Sequence, residues 1–104
     1  MDRIKDVTKV FLKTEDVLLE VVLPSGLILA PNTNLMADYC VVRAKGQGVP
    51  LEVGTIVLDV HNMEQQYQFK HSDKLYLIVP YYMVKLSVEP DNFELKKNNN
   101  LIVN

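Results

Sequence analysis

The side chains able to do chemistry are few. Two histidines, His61 and His71, each lie two residues from an aspartate, Asp59 and Asp73. In an extended strand, positions i and i+2 share a face. Asp59 and His61 would then present a carboxylate and an imidazole side by side, the beginning of a metal site. A structural zinc centre usually takes about four ligands, often several of them cysteines, and this chain has one cysteine, Cys40, far away in sequence. The expectation is polar residues at strand ends and no metal. Cys40 stands between Tyr39 and Val41 in an apolar run, the setting of a buried thiol that packs as a small hydrophobe. Ser25, Ser72 and Ser87 have no nucleophile-elbow context. "GQGVP", residues 46–50, has two glycines but neither the helix nor the lysine of a phosphate-binding loop. The carboxylates are dispersed, so no hydrolytic pair stands out. These residues lead to the expectation of a protein that is not an enzyme and holds no cofactor.

The aromatic residues Tyr67, Phe69, Tyr76, Tyr81 and Tyr82 crowd the second half of the chain. Aromatics among lysines can stack bases, but such a platform works inside a positively charged groove. The formal net charge is −2 and the lysines are scattered. Cross-strand aromatic pairs, or aromatics at a subunit contact, are the expectation instead, with no nucleic-acid partner.

The elements that must carry these residues read as short strands. The chain has 104 residues, 48% hydrophobic and 23% charged, which suits one globular domain. Apolar bursts alternate with turn signals: "DVLLEVV" (16–22), "LILA" (27–30), "YCVVRAK" (39–45), "GTIVLDV" (54–60), "QYQFKH" (66–71), "KLYLIVP" (74–80) and "YMVKLSV" (82–88). Pro24-Ser25-Gly26, "PNTN" and "GQGVP" punctuate them. Strands at this spacing predict an all-β fold, a small barrel or sandwich. Around residues 1–13, Ile4, Val7, Val10 and Phe11 have a helix-like spacing, yet the Val, Thr and Phe content favours extended structure. No apolar run reaches the ~18 residues of a membrane-spanning helix, and the N-terminal stretch lacks the apolar core of a signal peptide. With a lone cysteine, a soluble chain in a reducing compartment is expected. Near the C-terminus, Asn98-Asn99-Asn100 precede Leu101, Ile102 and Val103, an apolar end suited to gripping a neighbour.

Taken in order, "KTEDVLLEVV", "SGLIL", "YCVVRAKGQG", "VPLEVGTIVL" and "YLIVPYYMVKLSV" resemble the GroES-like co-chaperonin family, and the "SGLIL" form is similar to its phage-type members. The likeness spans roughly Phe11 to Val88. It implies a small, partly Greek-key β-barrel that assembles in rings. It divides the chain into an N-terminal arm (1–10), a barrel domain (11–89) and a C-terminal arm (90–104). In that family a Gly-aliphatic triplet on a long loop docks into a chaperonin's apical groove. The corresponding residues are Leu27, Ile28 and Leu29. Here only Leu23, Pro24, Ser25 and Gly26 separate Val22 from the triplet. Such a tether extends at most ~14 Å, and Pro24 stiffens it.

Two functional expectations follow. The first is a structural assembly subunit, most concretely a decoration or cementing protein of a tailed-phage capsid. Leu27, Ile28, Leu29, Leu101, Ile102 and Val103 would then grip capsid subunits, and the chain would reside in a virion assembled in the host cytoplasm. The second is a working cytoplasmic co-chaperonin capping a chaperonin ring through Leu27-Ile28-Leu29, where weak single contacts gain by ring avidity. In both, the partners are proteins and the chain joins a homo-oligomer or larger assembly, with no membrane contact. A small peptide- or nucleic-acid-binding module built on the tyrosines is a distant third.

Overall fold

A computed structural model describes residues 3–22, 39–60 and 67–94. Six antiparallel strands form one sheet: β1 (Asp16–Val22), β2 (Tyr39–Lys45), β3 (Ile56–Val60), β4 (Tyr67–His71), β5 (Lys74–Pro80) and β6 (Val84–Val88), in the order β4-β5-β1-β2-β3-β6. The all-β class is as expected from the sequence. A closed barrel would need β4 and β6 to meet, and among the described residues the sheet is open, with these two strands as its edges.

Sequence distance makes this sheet curl. Pro80 ends β5 and Val84 begins β6, and the residues between them can span at most ~14 Å. In a flat sheet those two strands, separated by β1, β2 and β3, would lie about four strand spacings apart, or ~19 Å. The sheet wraps to bring them together, and the connection Tyr81–Met83 winds into a 3-10 turn. Tyr81, Met83 and Val84 consequently pack against the concave face.

Strand alternation sorts the side chains onto two faces. Val17, Leu19, Val21, Cys40, Val42, Val57, Leu75, Leu77 and Val79 form the concave core. Val49, from the connection between β2 and β3, is buried with them, and Leu51 packs alongside. That segment reads in sequence as a turn, and it does turn. Gly54 (φ 99°) is the third residue of a β-turn closed by Thr55 N–H donating to Glu52 O at 3.1 Å, a position with positive φ that favours glycine. Val49 and Leu51 nonetheless turn inwards onto the concave core, while Val53 stays exposed.

The convex face carries a second cluster: Leu18, Ala44 and Tyr76, with Phe69 and Ile78 at its margin. Residues 4–12 cover it as a strap, contributing Val7, Ile4, Val10 and Leu12. The strap is neither helix nor strand; it is a chain of turns, including Lys9 N–H donating to Asp6 O at 3.1 Å. Asp6 Oδ1 accepts from both the backbone N–H (2.9 Å) and the hydroxyl (2.6 Å) of Thr8, and these bonds hold its carboxyl below the usual range. Three of the four residues with helix-like spacing do face the sheet, whereas Phe11 is fully exposed. This contrast gives a simple expectation. Val7→Ser (Val7 is 7% exposed) should cost ~1–2 kcal/mol in a urea titration, and Phe11→Ser less than ~0.5 kcal/mol. Equal costs would mean that the strap is not docked.

At the other end of the chain, residues Pro90–Asn92 form a 3-10 turn that carries Phe93 against Tyr39, ring centroids 4.9 Å apart. The first residues of the expected C-terminal arm therefore touch the start of β2.

Candidate functional site

Four polar side chains converge on the convex face beside the strap. Glu20 is 8% exposed in the middle of β1. A carboxylate in that position is costly unless it is paired. Arg43 Nε donates to Glu20 Oε1 at 2.8 Å, and Lys74 Nζ lies 3.5 Å from Oε2. A β-bulge brings Arg43 there. Leu18 pairs with Ala44 but Leu19 pairs with Val42, so Arg43 is the extra residue on β2. A bulge re-aims side chains, and here Arg43 and Ala44 both serve the convex face. Tyr76 sits opposite Glu20 on β5. Burial pushes its phenol above the usual range, Glu20 raises it further, and Arg43 opposes. Both oxygens of Glu20 are thus engaged by cations, and the group acts as a tie between β1, β2 and β5.

The aromatic residues form a ladder on the same face. Phe69 stacks on Tyr76 across β4 and β5, centroids 5.5 Å apart with planes at 19°. Tyr67 is 5.9 Å from Phe69, and His71 meets the edge of Tyr76 at 6.4 Å. Phe69–Tyr76 is a cross-strand pair of the kind expected from the sequence, whereas Tyr67 and Phe69 are neighbours along β4.

The candidate chemical groups have structural partners. His71 Nε2 is 2.5 Å from Ile4 O; a carbonyl only accepts, so this nitrogen donates and fastens the strap. Ser72 (φ 51°) and Asp73 (φ 65°) make the two-residue hairpin turn between His71 and Lys74, the positive-φ pattern of a type I′ turn. Asp73 is therefore a turn residue. Asp59 is exposed on β3, and His61 lies outside the described residues. Among the described residues no three His, Cys, Asp or Glu side chains are grouped to hold a metal. The partner-binding residues expected from the sequence, Leu27, Ile28, Leu29, Leu101, Ile102 and Val103, also lie outside the described residues.

Cys40 is buried in the concave core, and burial pushes its thiol up to about 12. An ordinary thiol ionises near 9.0, so the unfolded chain sheds this proton first. Stability then falls as pH rises through the window from about 9 towards about 12. Two outcomes are expected. Native protein resists a thiol reagent at pH ~8 and reacts once urea unfolds it. Cys40→Ala loses part of the alkaline decline seen in the parent. Rapid labelling of the native protein would contradict this placement.

Two surface features are left over. A wide groove of about 570 Å³ is lined by Lys13, Thr14, Glu15, Asp16, Pro80 and Tyr82. Large apolar side chains stand exposed at Phe11, Val53, Leu58, Tyr67, Tyr82 and Leu86, and no sequence pattern distinguished these from core residues.

Set beside known proteins, the chain matches no family model, no curated protein and no solved structure. The likeness to co-chaperonins therefore rests on the residues quoted for it. No helix among the described residues is long and apolar enough to cross a membrane.

Proposed function

We propose that this chain is a non-catalytic assembly subunit that joins protein surfaces, in its most concrete form an auxiliary protein of a tailed-phage capsid. One observation carries the assembly reading. A small domain that buries Val49 and Val7 from its loop and strap still leaves Phe11, Tyr82, Tyr67, Val53 and Leu86 in water. Aromatic and aliphatic anchors of this kind are what protein interfaces bury. The groups that could do chemistry support the same reading, since Cys40, Glu20 and His71 hold the fold together. The capsid form comes from the phage-type co-chaperonin likeness combined with the short tether before Leu27-Ile28-Leu29.

The test is quantitative proteomics of purified virions from cells that express the chain. Stoichiometric presence is the expected result, and absence overturns the capsid form. The triplet Leu27-Ile28-Leu29 in the sequence favours the second reading, a co-chaperonin. Co-elution with a chaperonin ring in the presence of nucleotide, lost in the Leu27→Ser, Ile28→Ser double variant, would establish that reading instead.

A further inference from the structure

The strap and the sheet are held by different forces, and the boundary between them is sharp. Residues 13–16 are fastened by backbone bonds. Asp16 N–H donates to Lys13 O at 3.0 Å, Gly48 N–H to Thr14 O at 2.8 Å, Gly46 N–H to Asp16 O at 2.8 Å, and Tyr81 N–H to Glu15 O at 2.7 Å. Upstream of Lys13 such bonds stop. Among the described residues, no backbone–backbone hydrogen bond joins residues 4–12 to a strand. The bonds inside the strap, from Lys9 N–H to Asp6 O and from Thr8 to Asp6 Oδ1, give it a shape of its own. It touches the convex face through Val7, which is buried, and through Ile4, Val10 and Leu12, which are half-buried. His71 Nε2, donating to Ile4 O at 2.5 Å, fixes its far end. Phe11, beside the fastened segment, is fully exposed, so no packing of its side chain resists rotation there. A segment with few buried apolar contacts and no ladder bonds belongs to the low-stability end of a fold.

We propose that residues 4–10 are a latched strap that opens about Phe11 as a unit, well before the sheet unfolds, and uncovers the convex cluster. Val7 is the main contact and His71 the latch. Opening bares Leu18, Ala44 and Tyr76, all buried while the strap is docked, beside Phe69 and Ile78 at the margin. The concave core is untouched by this motion, because Leu19, Cys40 and Leu77 belong to the other cluster. The strap therefore decides when the apolar side chains of the convex face meet solvent. The proposal depends on the strap's own contacts and not on the assembly reading.

Thiol labelling of the full chain tests this with one reporter on each face. Cys40 in the parent reports the concave core, and Ala44→Cys in a Cys40→Ala background reports the surface under the strap. Ala44→Cys should label under native conditions at a rate that barely changes with low urea, since opening the strap exposes little surface. Cys40 should label at a rate that rises steeply with urea, as global unfolding does. Val7→Ser should speed labelling at position 44 about tenfold. His71→Ala should speed it about fivefold, and His71→Gln, which keeps an N–H donor, should stay within about twofold of the parent. A second readout needs no introduced thiol. Lys5 and Lys9 are exposed on the strap, and cleavage by a protease tracks the population of an opened segment when reclosing is fast. Tryptic cleavage after Lys9 should quicken about tenfold in Val7→Ser, again with little dependence on urea. Labelling at position 44, or cleavage after Lys9, that rises with urea as steeply as labelling of Cys40 would show that strap and sheet open together, and overturns the proposal. Labelling indifferent to Val7→Ser overturns it as well. A His71→Gln variant that labels as fast as His71→Ala overturns the latch.

Discussion

Gly46→Ala is expected to cost at least ~3 kcal/mol, a large share of the ~5–15 kcal/mol that holds a domain folded. A Cβ at this position would stand 1.9 Å from Lys13 O, 2.5 Å from Thr14 O and 2.6 Å from Thr14 C. All three atoms are backbone, so no rotamer change relieves the clash. Neither side can retreat. Gly46 N–H donates to Asp16 O at 2.8 Å, and Gly48 N–H donates to Thr14 O at 2.8 Å. Moving the segment apart would break these bonds at the point where the strap enters β1. The loss should therefore be twofold in character: lower stability and release of residues 4–12 from the convex face. Urea titration reads the first. Hydrogen exchange at the amides of the strap and of β1 reads the second.

The same substitution at Gly54 isolates a different cost. Nothing lies within 4 Å of a Cβ placed there, but φ is +99°. Gly54→Ala should cost about 1–2 kcal/mol through backbone strain, without loosening the strap. A Gly46→Ala variant that loses no more than Gly54→Ala would show that the approach of Lys13 and Thr14 to Gly46 is not tight.

Three strands were legible in the sequence to the residue. "DVLLEVV", "YCVVRAK" and "KLYLIVP" are β1, β2 and β5, three of the four interior strands of the sheet, in which at least one face is fully apolar. The edges were less legible. "YMVKLSV" yields a strand only from Val84, because closing the curl winds Tyr81–Met83 into a 3-10 turn. That demand comes from the strand order, which alternation does not encode. Residues 4–12 defeated both periodicities for a related reason. A strap held by side chains on one face needs apolar residues at intervals but no regular backbone. The buried placement of Cys40 followed from its neighbours. The Glu20 tie had a visible half, an acid inside an apolar strand. Its partner Arg43 is 23 residues away and reaches it through a bulge that no local pattern announces. Val49 was hidden within "GQGVP" because glycines and proline mark the turn and say nothing about which residue turns inwards.

Leu77→Ala should cost about 3–4 kcal/mol, in the range of large-to-small changes that leave a cavity. Leu77 has no exposed surface and lies at the centre of β5, opposite Leu19 on β1, which in turn lies opposite Val42 on β2. This row crosses three strands on the concave face, and all three residues belong to one core with Tyr81 and Met83 packed against it. If the sheet curls as the short β5–β6 connection requires, the row is enclosed on every side and cannot collapse onto a deleted side chain. Leu19→Ala should then cost a similar amount. The two deletions should be coupled by at least ~0.5 kcal/mol, since the cavities share a wall. Ile78→Ala is the control. Ile78 neighbours Leu77 on β5 but lies at the margin of the convex cluster, half-buried, and should cost only ~1 kcal/mol. A flat sheet would make the two faces of β5 nearly equivalent, so equal losses for Leu77→Ala and Ile78→Ala would refute the curl. A large asymmetry with coupling to Leu19 would show that the concave face, closed by its loop and its 3-10 turn, carries the stability. The strap on the convex face would then add the smaller share, the ~1–2 kcal/mol expected for Val7→Ser.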